Sequence, residues 1–154
     1  QNMITAAKKG DVVEVSRFLV DEFHQEYSDW YPEVDVAMVI RYIGDHYNNG
    51  RIFINKDKGK ISGVTMAKPA NYWFSRRQFL SEGVFYVAPR ARRGKVAKKL
   101  LNELTAYARE LDLDLTVAVS TGDRVQAKDR FFESNGLTRA GGLYVLRRAD
   151  SNSS

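Results

Sequence analysis

Apolar residues first recur at helical spacing: Val12, Val15, Leu19 and Phe23 fall on one stripe and predict a first helix. Asp11 stands as its N-cap, with Glu14 three residues on as the second half of a capping box. The stretch Tyr27-Ser28-Asp29-Trp30-Tyr31-Pro32 breaks that period, and Pro32 marks a second start. Val36, Val39, Ile40, Ile43 and Tyr47 supply the next helical face, which Asn48-Asn49-Gly50 ends. Strand character follows in Arg51 to Asn55, then hairpin-turn chemistry in Lys56-Asp57-Lys58-Gly59 and a return strand from Ile61 to Ala67. Beyond Pro69, residues Asn71 to Arg77 end that strand and form a projecting loop, and Leu80 to Val87 make the next strand.

The third helix carries the clearest stripe: Val96, Leu100, Leu104, Tyr107 and Leu111, broadened by Ala97, Leu101 and Ala108. Leu113, Leu115, Val117 and Val119 then alternate as a strand. Asp123 caps a fourth helix running to Asn135, with Gly136 just beyond it, and a last β segment covers Leu137 to Arg148. The resulting order, β-α-α-β-β-β-α-β-α-β, predicts one α/β (α+β) domain with a mixed sheet over residues 3–149. The polar tail 150–154 reads as disordered, and Gln1-Asn2 ahead of Met3 reads as an expression scar.

Composition narrows the function classes. The 154 residues contain no cysteine, which excludes disulfides, a thiolate nucleophile and Cys-based metal sites. Two histidines and scattered carboxylates predict no metal centre. No apolar run reaches the ~18 residues of a membrane span and no signal peptide is visible, which together fit a cytoplasmic address without membrane contact. The net charge of +5 is concentrated: Arg90, Arg92, Arg93, Lys95, Lys98 and Lys99 lie within ten residues, whereas Asp21 to Asp35 holds acidic residues and no lysine or arginine. One compact basic spot suits a small polyanion more than a long nucleic-acid backbone.

That spot sits between a strand and a helix, in Val87-Ala88-Pro89-Arg90-Ala91-Arg92-Arg93-Gly94-Lys95-Val96-Ala97-Lys98. The order places backbone N–H groups and a helix N-terminus beside cations, as pyrophosphate binding requires. The unit resembles motif A of the GNAT (Gcn5-related N-acetyltransferase) acyltransferases, whose pattern is [Q/R]-x-x-G-x-[G/A]. Arg92 takes the first position and Ala97 the last; Lys95 stands where the middle glycine is expected, with Gly94 one residue early. Phe131-Phe132-Glu133-Ser134-Asn135-Gly136-Leu137 resembles the family's ending of the fourth helix, and the order of elements matches over nearly the whole chain. The segments Asp129 to Phe132 and Gly141 to Val145 are also similar to GNAT proteins of phage genomes.

The resemblance implies a mostly antiparallel sheet flanked by about four helices, with strands 4 and 5 splayed, and acetyl-CoA as acyl donor. It places the pyrophosphate on the amides of Arg93, Gly94, Lys95, Val96, Ala97 and Lys98, with Arg92 and Phe131 also in the cofactor set. The pantetheine arm would run along Phe85, Tyr86 and Val87, the Val87 N–H polarising the thioester carbonyl. Glu82 takes the place of the glutamate that serves some members as base through a water; the competing reading is a solvated strand residue. His24 and His46 are alternative bases, on helices where a surface or capping role competes. Phe132 stands where the family has its tyrosine acid, which leaves Tyr144 or Tyr86, or water, for that role, or departure of CoA as the thiolate with no enzymic acid. Tyr27, Trp30, Tyr31 and Trp73 lie in the loops that frame an acceptor, where aromatics and carboxylates suit a cation and core packing is the alternative.

The expected activity is therefore N-acetyl transfer to a primary amine of a small molecule or protein by direct attack in a ternary complex. The protein would act as a monomer or homodimer without nucleic acid. A catalytically silent acyl-CoA-binding module and a basic nucleic-acid-binding domain are the alternatives.

Overall fold

The computed structural model describes residues 2–31 and 33–148. The expectations for Gln1, for Pro32 as a helix start and for the tail 150–154 lie outside these residues. The chain forms two compact units, residues 1–117 and 118–154.

The first unit is built on a five-stranded sheet in the order β1-β2-β3-β4-β5. The strands are β1 (Asn2–Ala6), β2 (Arg51–Asp57), β3 (Lys60–Asn71), β4 (Gln78–Val87) and β5 (Leu115–Thr116). The first four are antiparallel neighbours, and β5 pairs parallel to β4. The β2–β3 turn is Lys58-Gly59, both at positive φ (52° and 79°), as a two-residue hairpin demands. β3 runs through Pro69 to Asn71, where the sequence pattern gives way to the projecting loop.

Helices cover both faces. On one side α1 (Val12–Phe18) continues through a π turn, Leu19–Phe23, into the short α2 (His24–Glu26). With α3 (Val36–Asn49) they bury Val15, Phe18, Leu19 and Ile43 against Ile52, Ile54, Val64, Met66 and Tyr86. On the other side α4 (Val96–Leu111) sets Val96, Leu100, Leu104 and Tyr107 against Phe53, Ala67, Leu80 and Val87. Gly63 lets α4 approach β3 closely: a Cβ there would lie 3.0 Å from Val96 and 3.1 Å from Leu100. The α4 stripe and the end of α3 at Gly50 follow the sequence pattern.

Some local expectations give way to tertiary context. Asp11 does not cap α1: a 3₁₀ turn, Lys9–Asp11, precedes the helix, and the Asp11 carboxylate accepts the Lys8 N–H at 2.7 Å instead. Glu14 pairs with Lys56 at 3.6 Å rather than closing a capping box. Asp35 is the working cap, accepting the Met38 N–H of α3 at 3.2 Å. The alternation from Leu113 to Val119 yields a ladder at Leu115 and Thr116 alone, because β4 departs from β5 beyond Ser81.

The second unit holds α5 (Val125–Ser134). Asp123 does not cap it; its carboxylate takes the Arg124 Nε–H at 3.1 Å, and Arg124 itself enters the helix at φ 47°. Gly136 follows at φ 92° and permits the chain reversal. Among the described residues Leu137 to Arg148 forms no strand, since no ladder partner engages it; Leu143, Tyr144, Val145 and Leu146 are exposed.

Candidate active site

The two halves of β4 differ. Leu80 and Ser81 pair with β3 on one side and with Leu115 and Thr116 on the other, and the Leu80 N–H donates to Asp114 O at 2.8 Å. Glu82 then lies opposite Ala67 and Val84 opposite Met66, leaving Gly83 as the extra residue of a β-bulge. Side chains satisfy the carbonyls displaced there: Tyr42 Oη donates to Gly83 O at 3.0 Å and Thr65 Oγ1 to Val84 O at 2.8 Å. Gly83 is required sterically, because a Cβ would lie 2.3 Å from His46 Nε2 and 2.9 Å from Tyr42 Oη.

His46 is 2% exposed, so the surface role that competes in the sequence does not hold for it. Its Nδ1 stands 2.9 Å from the Tyr42 carbonyl oxygen, which only accepts; Nδ1 therefore carries a hydrogen, and Nε2, on the Gly83 side, is the nitrogen that titrates. Burial lowers the His46 pKa, outweighing the hydrogen bond to Tyr42 O. Burial, then the carboxylates of Glu82 and Asp45, raise the Tyr42 pKa. The Asp45 pKa is lowered by the hydrogen bond from Lys68 and then by that from Asn49, whose Nδ2 donates at 2.6 Å. Glu82 is thus a half-buried carboxylate beside a phenol at the point where the two strands part.

Past the bulge, among the described residues, β3 is the strand partner that β4 keeps. The Ala88 N–H donates to Ser62 O at 2.8 Å, toward β3. Backbone groups of an extended chain alternate in direction, so the Val87 N–H and C=O point away from β3, to the side β5 has left. The Val87 carbonyl there accepts Arg92 Nε–H at 2.9 Å.

The basic loop follows as a 3₁₀ turn, Pro89–Ala91, and a turn over 92–95 before α4 begins at Val96. Its cations divide into two groups. Arg90 pairs with Glu22 and donates to Ile61 O at 2.7 Å. Arg92 grips Glu26 with both terminal nitrogens, at 2.9 and 2.7 Å. Arg93, Lys95, Lys98 and Lys99 are exposed, and no ion pair engages them among the described residues. No side chain caps α4, and its first backbone bond joins Lys99 N–H to Lys95 O at 3.0 Å, so the N–H groups of Val96, Ala97 and Lys98 precede the ladder. Lys95, where the motif leads one to expect glycine, sits at φ −97°, a conformation open to any L residue.

The remaining sequence candidates are spread more widely. Phe85 and Tyr86 lie on the open half of β4; Tyr86 faces α2, where its hydroxyl donates to Glu26 at 2.7 Å, and its pKa is pushed up by burial and then by that carboxylate. Tyr27 is buried against Phe23 and Tyr86, with ring centroids at 5.0 and 6.4 Å. Trp30 and Tyr31 are exposed, as is Trp73 at the β3–β4 hairpin tip, where Phe74 stacks on Tyr72. Phe131 and Tyr144 belong to the second unit; Phe131 packs on Phe132 at 5.2 Å, and Tyr144 is 92% exposed. Among the described residues no cluster of three potential metal ligands occurs, and no helix is long and apolar enough to cross a membrane. Tyr42, Thr65, Glu22 and Glu26 are contributors that the sequence reading did not single out; a glycine inside an apolar strand was the one available signal of the bulge.

A mixed sheet whose fourth and fifth strands part beside a basic strand-to-helix turn defines the acyl-CoA N-acyltransferase fold. The sequence matches the acetyltransferase (GNAT) family over residues 10–137, and the chain belongs to that family. Solved structures agree in fold. An aminoglycoside acetyltransferase from an uncultured soil metagenomic sample is 15% identical, with TM-score 0.72 over 97% of each chain. A ribosomal-protein-alanine N-acetyltransferase from Brucella melitensis biovar Abortus 2308 is 15% identical, with TM-score 0.69 over 97% of this chain and 100% of its own. A predicted acetyltransferase with acetyl-CoA from Clostridium acetobutylicum is 17% identical, with TM-score 0.68 over 96% of both. No curated protein matches the sequence significantly.

Proposed function

We propose that residues 3–149 act as one acyltransferase domain that moves an acetyl group from acetyl-CoA to a primary amine by direct attack in a ternary complex. The observation that carries this reading is the half of β4 that β5 leaves, Phe85 to Val87, ending beside a helix N-terminus with no side-chain cap and four cations that enter no ion pair among the described residues. Acetyl-CoA would supply the activated thioester. The N–H groups of Val96, Ala97 and Lys98, with Arg93, Lys95, Lys98 and Lys99, suit its pyrophosphate and nucleotide phosphates. The Val87 N–H, directed away from β3, suits a thioester carbonyl as a single donor.

Glu82 is the proposed base, taking a proton from the ammonium form of the acceptor directly or through water. Tyr144 is proposed as the proton source for the departing thiolate, since the Tyr86 hydroxyl is committed to Glu26. Tyr27, Trp30, Tyr31 and Trp73 are proposed to frame the acceptor. The aminoglycoside acetyltransferases among the structural neighbours support a cationic small-molecule amine.

CoA or acetyl-CoA at millimolar concentration is expected to raise the melting temperature and, with an amine panel, to release thiol. No thermal shift would overturn the acyl-CoA reading. Binding without thiol release would instead mark a catalytically silent module.

A further inference from the structure

Arg92 occupies the first position of the phosphate motif, yet its guanidinium is turned inward. Nε–H donates to the Val87 carbonyl at 2.9 Å, and the two terminal nitrogens hold both oxygens of Glu26. The same Glu26 Oε1 accepts the Tyr86 hydroxyl at 2.7 Å, and the guanidinium carbon lies 5.6 Å from the Tyr86 ring centroid. A bidentate carboxylate neutralises the charge a phosphate would need and fixes the plane of the guanidinium. Both side chains of the ion pair are 23% exposed, so it is shielded from water more than a surface pair.

Two consequences follow from what Arg92 joins. Val87 O lies on the side of β4 away from β3, so the Arg92 contact closes the open edge at that residue and orients the Val87 peptide. Glu26 ends α2, and the chain continues directly into Tyr27–Tyr31, the loop proposed to frame the acceptor. We infer that Arg92 is a positioning residue and not a phosphate ligand: clamped by Glu26, it sets the end of the open β4 edge at Val87 and ties the acceptor loop to it. The inference rests on the acyl-CoA reading above.

Comparing acetyl-CoA with S-acetylpantetheine, which lacks the pyrophosphate and nucleotide, separates the two roles. In Arg92→Lys the positive charge remains but the fork is lost. The expected result is a fall in kcat of about tenfold with both donors, with KM for acetyl-CoA little changed. A rise in KM confined to acetyl-CoA would overturn the inference, because only a phosphate ligand distinguishes the donors. Glu26→Gln gives the second readout by calorimetry with CoA. A positioning role predicts unchanged CoA affinity and a lower kcat, whereas a phosphate ligand freed from its carboxylate would bind CoA more tightly. A variant that changes only the urea midpoint, with kinetics intact, would also overturn it by showing a merely structural contact. Failure of the wild-type protein to bind CoA or release thiol counts against the acyl-CoA reading itself and is seen before any variant is made.

Discussion

Within β4, Leu80 and Ser81 pair with strands on both sides, while among the described residues Val84 to Val87 pair with β3 as their one strand neighbour. The first half packs Leu80 into the core; the second turns its Val87 peptide toward the space β5 has left. The division falls at Gly83, where a bulge is pinned by Tyr42 and Thr65 and walled by His46. A strand edge that β5 does not cover arises here because pairing is interrupted at a point that other elements make rigid. The strand itself remains ordered through its β3 ladder.

The largest effect is expected in the doubly paired half. Leu80→Ala, at a fully buried site, should lower stability by about 2–5 kcal/mol in urea unfolding. A loss below about 1 kcal/mol would mean that this half does not anchor the sheet. Gly83→Ala comes next, at roughly 1–3 kcal/mol, because the new methyl meets a buried imidazole rather than a mobile chain end. Pairing it with His46→Ala should recover part of that loss; additive losses in the double variant would show that the imidazole is not what demands glycine. Thr65→Val removes the hydroxyl that satisfies Val84 O and should cost about 1 kcal/mol.

The smallest effect is the pH dependence carried by His46. Burial depresses its folded-state pKa, so the unfolded chain binds the proton more readily. The stability it contributes is complete above the ordinary histidine value of about 6.5 and is lost as pH falls through that value toward the folded pKa. Between pH 7 and 6 the loss should be below about 1 kcal/mol. His24 is shifted in the same direction by burial, so urea midpoints of His46→Gln and His24→Gln across that range assign the slope. An unchanged slope in His46→Gln would remove the imidazole from the account.

Much of the scaffold was legible from spacing, because it depends on neighbours three, four or two residues apart. The α4 stripe, the α3 ending at Gly50 and the Lys58-Gly59 turn are of this kind. The basic loop was legible as a charge cluster, but which of its cations are engaged was not. Arg90 meets Glu22 across 68 residues and Arg92 meets Glu26 across 66, and no local pattern encodes either pairing. Asp11 and Asp123 show the opposite failure: each has the right residue type for a cap, and each carboxylate is taken by another donor nearby.

By itself the sequence determined the order of elements as far as α5, the absence of cysteine chemistry and the position of the basic strand-to-helix turn. Each follows from residue type and short-range periodicity. Only the tertiary structure decided where β4 parts from β5, which face of the strand is open, and which arginines remain available. Those outcomes depend on Tyr42, His46, Thr65 and Glu26 arriving from distant elements to occupy space and to satisfy particular backbone and charged groups.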